Sequence, residues 1–468
     1  MFPPLFKLTL ITKKLTSPPA QEDANCLSGW IAVDPQGHPK REPIQWPLFG
    51  GFIIQQPSIA VSREAYSDAP ASNGGQSRHW CSVSYLHTRI AAVQAQESKK
   101  SVPQLTCNND VNWHADGLEP LLFSYQIVPF RPFPTATMSA VEFKGYALTD
   151  TKKWSDLKVV EFKPKTFLED DVELRITHCG VCDSDVHTLS QGWGETTNLP
   201  LIVGHEIVGV VIRVGSNVTE FKPGERVGIG AQIGSCMKCQ RCKHDQENYC
   251  REIIYTYNAS YPDGVATQGG YSTAIRAHQQ FVFAIPDALE SRYAASMLCA
   301  GLTMFAPLKL NGAGPGKKVG IVGIGGLGHY GILFAKALGA GVYAFTHSPS
   351  KIEDAKKMGA DHVIDTGASD FHEPLYGELD LIVTTLDNFS PDRPLQTYTS
   401  MLRVFGKLVN VGVPDADNLL PPMHAMSLCF NGAFFSGSHL GSKVDCNDML
   451  KLAAEKGVKP WIQELPMS

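Results

Sequence analysis

Apolar and polar residues follow two rhythms along this chain, and over its first stretch they follow neither. Lys158-Val-Val-Glu-Phe162 and Val172-Glu-Leu-Arg-Ile-Thr177 alternate apolar with polar, as half-buried strands do. Strands and turns with few long helices continue to about residue 285. From about residue 291 the order becomes helix, strand, glycine loop, helix, strand, which is the alternation of a βαβ parallel sheet. Lys318-Val-Gly-Ile-Val-Gly-Ile324 predicts a strand, and Ile332-Leu-Phe-Ala-Lys-Ala-Leu338 predicts a helix. No solenoid-type repeat is present.

Residues 1–137 have no such period. They hold 15 of the 31 prolines in under a third of the length, and runs such as Ser67-Asp-Ala-Pro-Ala-Ser-Asn-Gly-Gly-Gln-Ser77 fit neither helix nor strand. A low-order extension with a few short local elements is expected there. Met138 is the first methionine after Met1, so an upstream extension of the reading frame is one reading and a targeting or docking arm the other. Lys7, Lys13 and Lys14 without an acid in the first 21 residues faintly resemble a mitochondrial presequence, but arginine is missing and Pro3, Pro4, Pro18 and Pro19 interrupt it. A cytoplasmic location is expected, with a mitochondrial one the alternative if residues 1–137 are a genuine part of the protein.

Composition narrows the partners. With 43% hydrophobic and 19% charged residues and a formal charge of -5, the chain reads as globular, with no electrostatic reason to bind nucleic acid or an anionic membrane. No apolar run approaches the roughly 18 residues of a membrane span.

The 12 cysteines carry the chemistry. Cys236, Cys239, Cys242 and Cys250 fall within 15 residues, a spacing that reads as metal binding and not as a disulfide framework. Four thiolates suit a closed tetrahedral zinc site, and the short spacers let one loop wrap the ion. An iron–sulfur cluster is the competing reading; the seven-residue gap before Cys250 and the lack of a Cys-Pro ending argue against it. A second set is dispersed: Cys182 in His178-Cys-Gly-Val-Cys-Asp-Ser-Asp-Val-His187, His205 in Gly204-His-Glu, and Cys299 in Leu298-Cys-Ala-Gly-Leu-Thr303. A catalytic zinc needs three protein ligands and one open position, and two cysteines with one histidine can supply them.

Gly323-x-Gly325-x-x-Gly328 sits between the predicted strand and helix, where glycines let backbone and helix N-terminus approach a pyrophosphate. Gly326 and Leu327 lie inside that turn. An NAD site usually has an acid about 20 residues on, for the ribose 2′-hydroxyl. No acid occurs between Gly320 and Ile352; Thr346-His-Ser-Pro-Ser-Lys351 stands there instead, and Ser348 and Lys351 suit a 2′-phosphate.

In Gly204-His-Glu-x2-Gly209-x5-Gly215-x2-Val218, Gln268-Gly-Gly-Tyr271 and Lys318–Gly328 the chain resembles the zinc-containing medium-chain alcohol dehydrogenases of the cinnamyl alcohol dehydrogenase type. The resemblance runs from Met138 to the C-terminus. It implies that Cys182, His205 and Cys299 ligate the catalytic zinc, a Cys2His set of the alcohol dehydrogenase kind. Glu206 would lie beside the metal or serve as an alternate fourth ligand, Asp185 would hold the His205 ring, and Ser184 and His187 would relay protons. Cys179 would be structural. Trp193 and Tyr255 would line the substrate pocket or be ordinary core aromatics.

The implied fold is α/β: a GroES-like β-rich catalytic domain over 138–290, a Rossmann NADP-binding domain over 291–433, and an incomplete return segment over 434–468. The implied reaction is hydride transfer between NADP(H) and a primary alcohol or aldehyde, aryl or medium-chain, with two zinc ions per chain and a homodimeric assembly. Family members continue a few tens of residues past Trp461-Ile-Gln-Glu-Leu-Pro466, whereas this chain stops at Ser468. An unpaired sheet edge is therefore expected. A zinc-binding homologue without turnover, or a reductase of another carbonyl, stays open as the alternative.

Overall fold

The alternating run at Val172 becomes part of the longest strand of the first half, but its polar face is buried at the start of the strand and exposed only at Arg175. The computed structural model describes residues 7–10, 141–196, 198–389, 394–416 and 418–467. The first half contributes β1 (Lys7–Leu10), β2 (Lys144–Ala147), β3 (Lys158–Glu161), β4 (Asp171–Gly180), β5 (Ile207–Val214), β6 (Arg226–Ile229), β7 (Gln232–Gly234), β8 (Ile254–Tyr255), β9 (Ala274–His278) and β10 (Phe283–Ala284). On β4, Val172, Leu174 and Ile176 enter the core, while Asp171 and Glu173 are buried as ion pairs with Lys165 and Arg276. Burying a charge is tolerated when it is paired and hydrogen-bonded. The run at Lys158 does form a strand, but among the described residues β3 pairs only with β2 and leaves Val159 exposed.

The second half contributes β11 (Lys318–Val322), β12 (Gly341–Thr346), β13 (His362–Asp365), β14 (Leu379–Thr384), β15 (Leu402–Asn410) and β16 (Phe434–Gly437). They pair in the order β13-β12-β11-β14-β15-β16, every pair parallel. This is the doubly wound dinucleotide-binding order, which reverses between β11 and β14 and opens a crevice at the strands' C-terminal ends. β16 lies past residue 433, so the sheet continues into the segment expected to return to the catalytic domain.

Four helices position the site: α1 (Asp183–Leu189), α2 (Ala300–Leu310), α3 (Gly326–Ala337) and α4 (Lys443–Glu455). Met304, Leu308, Tyr330, Phe334 and Met449 on α2, α3 and α4 share one core with Val319 and Ile321 of β11. Phe345, Phe371 and Tyr398 pack the opposite face of the sheet. No single described helix is long and apolar enough to cross a membrane.

The side of β4 is covered. The chain's last strand, β17 (Gln463–Pro466), pairs antiparallel with β1, and β1 pairs parallel with β4, giving the order β10-β6-β5-β4-β1-β17. Among the described residues β17 becomes the outermost strand there. Four residues from the low-order extension thus stand as a strand in the catalytic sheet. The other expectations for 1–137 lie outside the described residues.

Candidate active site

The four-cysteine loop lies between β7 and β8. Met237 and Asp245 adopt positive φ there (58° and 55°), which folds the short spacers back on themselves. Cys236, Cys239, Cys242 and Cys250 converge: Sγ separations are 3.9 Å for 236–242, 3.6 Å for 239–242, 3.9 Å for 239–250 and 3.5 Å for 250–236. A tetrahedron with zinc–sulfur bonds of 2.3 Å has edges of about 3.8 Å. The donor set therefore fits a structural zinc in spacing as well as in chemistry. The Cys242 N–H draws the Cys239 thiol down to about 6, while burial pushes Cys242 up to about 12.

The second set is assembled from three distant segments. Cys182 caps α1 directly after β4, His205 precedes β5, and Cys299 precedes α2. Ligand atoms of Cys182, His205, Glu206 and Cys299 all lie within 4.8 Å of one another, and His205 Nε2 is 3.1 Å from Cys299 Sγ. Gly204 allows this approach: its φ is +98°, and a Cβ there would strike Tyr271. Cys179 is wholly buried beneath, as expected of a packing residue.

Asp185 ties the segments together. Its carboxylate accepts from His205 Nδ1 (3.0 Å), Cys182 N (3.1 Å), Gly204 N (3.1 Å) and Tyr271 Oη (3.0 Å). Burial opposes its ionisation, but His205, the Cys182 N–H and the Tyr257 hydroxyl outweigh it and hold the carboxyl below its usual range. Burial likewise opposes charge on His205, yet Asp185 wins and holds the imidazole well above its usual value. A hydrogen bond from Cys299, and then His205, hold the Cys182 thiol well below its usual range. Burial pushes Glu206 well upward, and its Oε2 has no hydrogen-bond partner.

This cluster opens into a cavity of about 770 Å³ that also reaches Gly326 and Leu327 at the N-terminus of α3. The glycine loop has the geometry of a dinucleotide cradle. Gly323 adopts φ +86°; a Cβ on Gly325 would meet open space, where a ligand can approach; a Cβ on Gly328 would lie 1.7 Å from the Gly323 carbonyl oxygen. Lys351 comes to this loop, donating to the Ile324 carbonyl at 2.8 Å, and Ser348 stands at the end of β12. The residues fit a dinucleotide, and no acid occupies the end of β12 to repel a 2′-phosphate.

Ser184 and His187 both line the cavity, with Ser184 Oγ 3.5 Å from Cys182 Sγ. Among the described residues no hydrogen bond joins them directly. Trp193 and Tyr255 also line the cavity and are 39% and 42% exposed, which makes them wall and not core. Sequence reasoning missed Asp183, Asp387, Asp415 and His439. Asp415 reaches His187 from 228 positions away, and no local motif marks that contact.

A four-cysteine loop spaced for zinc, together with a Cys2His set and a glycine-loop helix N-terminus that face one cavity, defines a zinc-dependent dinucleotide oxidoreductase. Residues 168–287 match the alcohol dehydrogenase GroES-like domain, and residues 326–455 match the zinc-binding dehydrogenase domain. The chain belongs to this family of zinc-binding alcohol dehydrogenases. It is 41% identical over 332 residues to NADP-dependent alcohol dehydrogenase 6 of Saccharomyces cerevisiae, covering 70% of this chain and 90% of the relative. To the 8-hydroxygeraniol dehydrogenase of Catharanthus roseus it is 39% identical over 325 residues, 69% and 88% of the two chains. A cinnamyl alcohol dehydrogenase of Sorghum bicolor superposes with a TM-score of 0.63 at 34% identity, over 68% of this chain and 89% of that one. The Helicobacter pylori enzyme complexed with NADP(H) superposes with a TM-score of 0.62 at 30% identity, over 68% and 90%.

Proposed function

We propose that this enzyme interconverts primary alcohols and aldehydes, aryl or medium-chain, with NADP(H): aldehyde + NADPH + H⁺ gives alcohol + NADP⁺. One observation carries the reading: the Cys182–His205–Cys299 cluster and the glycine loop of α3 open into the same cavity. Cys182, His205 and Cys299 would hold a zinc ion that supplies Lewis acidity, and a bound NADPH would supply the hydride. Asp185 keeps the ligand segments preorganised. The N–H groups at the start of α3 receive the pyrophosphate. Ser348 and Lys351 receive the 2′-phosphate, a charge-assisted contact that NAD(H) cannot make. Trp193 and Tyr255 present aromatic faces to an apolar substrate, and Ser184 passes the proton that the product oxygen needs, replenished through His187.

The assembly is a homodimer. Among the described residues β16 pairs on one side only, and Phe434 on it and Phe405 and Phe430 near it are 54%, 70% and 80% exposed, an apolar patch of the kind an interface covers. The location is the cytoplasm, whose reducing conditions keep the four-cysteine loop as thiolates.

The test is to count zinc on the purified full chain and follow NADPH oxidation with cinnamaldehyde and hexanal. Two zinc ions and NADPH-preferring turnover are expected. Zinc without turnover overturns the enzyme reading, and NADH used at least as well as NADPH overturns the cofactor reading. Sedimentation and a fluorescent fusion of the full chain check the dimer and its location.

A further inference from the structure

His187 is the last group of the relay before solvent, and it is held from the other domain. Its Nδ1 is 2.7 Å from Asp415 Oδ1, on the loop that follows β15. Its ring stacks on Trp193 with centroids 4.8 Å apart and planes 8° from parallel. Trp193 in turn donates Nε1–H to the Pro414 carbonyl at 3.0 Å, and Ala416 N donates to the Gly192 carbonyl at 2.9 Å. Contacts from 414–416 thus fasten His187 on α1 and the turn that follows it at Gly192 and Trp193.

Gly192 makes room for this arrangement. A Cβ there would lie 2.0 Å from Asp415 Oδ1 and 3.1 Å from His187 Nδ1. Any side chain at 192 would displace the carboxylate from the imidazole. Asp183 on α1 and Asp387 across the cavity are the other nearby carboxylates, and neither is hydrogen-bonded to His187 among the described residues.

We propose that Asp415 is a positioning residue for the proton relay, supplied by the nucleotide-binding domain into the space that Gly192 leaves open. The inference rests on the dehydrogenase reading above. Asp415 keeps Nδ1–H of the ring in both protonation states, so Nε2 alone exchanges protons. In the reducing direction the imidazolium gives its Nε2 proton towards Ser184, Ser184 gives its own to the product oxygen, and the neutral ring regains a proton at Nε2 from solvent. Asp415 is half-exposed, so the contact it makes with the ring lies at the solvent margin of the cavity. Because the carboxylate comes from one domain and the histidine from the other, the relay is complete only when the two are apposed as they are here.

The experiment compares wild type with Asp415→Ala, Asp415→Asn and Gly192→Ala in the full-length, zinc-loaded enzyme. General acid–base groups contribute 10²–10⁴-fold, and a lost orienting partner in an exposed pair removes a minor share, so kcat should fall roughly five- to twentyfold in Asp415→Ala. Gly192→Ala should match it, and Asp415→Asn, which keeps an acceptor, should lose less. KM for aldehyde and zinc content should not change, the solvent deuterium isotope effect on kcat should rise, and added imidazole should restore turnover. An unchanged kcat, or a loss confined to the KM for NADPH with no rescue by imidazole, overturns the proposal. Nitrogen-15 NMR of labelled histidines reports the His187 tautomer without turnover: Nδ1–H in wild type and a mixture in Asp415→Ala. Inactive wild type with the Nδ1–H tautomer would refute the dehydrogenase reading and not the contact; active wild type with an unfixed tautomer would refute the contact.

Discussion

His329 gives a stability test whose size follows from its surroundings. It lies in the first turn of α3, is 3% exposed, and its Nε2 accepts the Trp461 N–H at 3.3 Å while Nδ1 has no partner. Burial drives its pKa from the ordinary 6.5 to about 3. Its position beside the positive end of the helix dipole also disfavours charge there. The folded protein therefore keeps this ring neutral down to about pH 3, while the unfolded chain protonates it below 6.5. Between those values the unfolded state binds more protons, so the contribution is complete above pH 6.5 and is lost as pH falls towards 3. At about 1.4 kcal/mol per pH unit the ceiling is about 5 kcal/mol, and the loss between pH 8 and pH 5 is about 2 kcal/mol.

His329→Gln keeps an acceptor for Trp461 and does not titrate. Whatever the exchange itself costs, it costs the same at pH 8 and at pH 5. Urea unfolding of both proteins at the two values isolates the titration, since every other ionisable group is shared. The wild type should lose about 2 kcal/mol more than the variant between pH 8 and pH 5. Parallel losses, equal within about 0.5 kcal/mol, would mean that the buried imidazole accepts a proton in the folded state, and the burial argument would fail.

Other tests address the metal sites, the cofactor and the sheet edge. Cys182→Ala should abolish turnover and lose one zinc while the four-cysteine loop keeps its own; Cys239→Ser should lose the other zinc and lower the unfolding midpoint, because the loop folds around its ion. Lys351→Ala should raise the KM for NADPH roughly tenfold or more and leave that for NADH nearly unchanged, the loss expected for one charge-assisted phosphate contact. Removing residues 1–20 deletes a strand paired on both sides, so the shortened chain should aggregate at concentrations where the full chain stays in solution; equal solubility by light scattering would show that β4 does not need β1.

What was legible in the sequence was what local spacing encodes. Four cysteines within one loop, and glycines between a strand and a helix, announce their geometry because neighbours in sequence are neighbours in space. Cys182, His205 and Cys299 were legible only together, in their order around that loop. The contact of His187 with Asp415 was hidden because it joins loops of different domains through a carboxylate with no motif around it. β1 was hidden for another reason: four residues in a proline-rich stretch carry too little pattern, and their partners supply the strand. The alternation at Val172 gave the strand but misjudged its polar face, because ion pairs with Lys165 and Arg276 let Asp171 and Glu173 be buried.

The same limit explains how two carboxylates of one site come to opposite states. Asp185 and Glu206 are both buried beside Cys182 and His205. Asp185 receives four donors and is held below its usual range, so it serves as a fixed negative anchor that orients His205 and the backbone of the ligand segments. Glu206 Oε2 receives none, and burial pushes the group upward. Ionised, such a carboxyl needs a partner that offsets its burial, and a cation held by Cys182, His205 and Cys299 would be one. A Cβ on Gly180 would lie 1.8 Å from Glu206 Oε2, so the backbone of β4 leaves that oxygen its place at the cluster. Asp185 is thus built to stay where it is, and Glu206 is the carboxyl whose charge and contacts are free to change when the site is loaded.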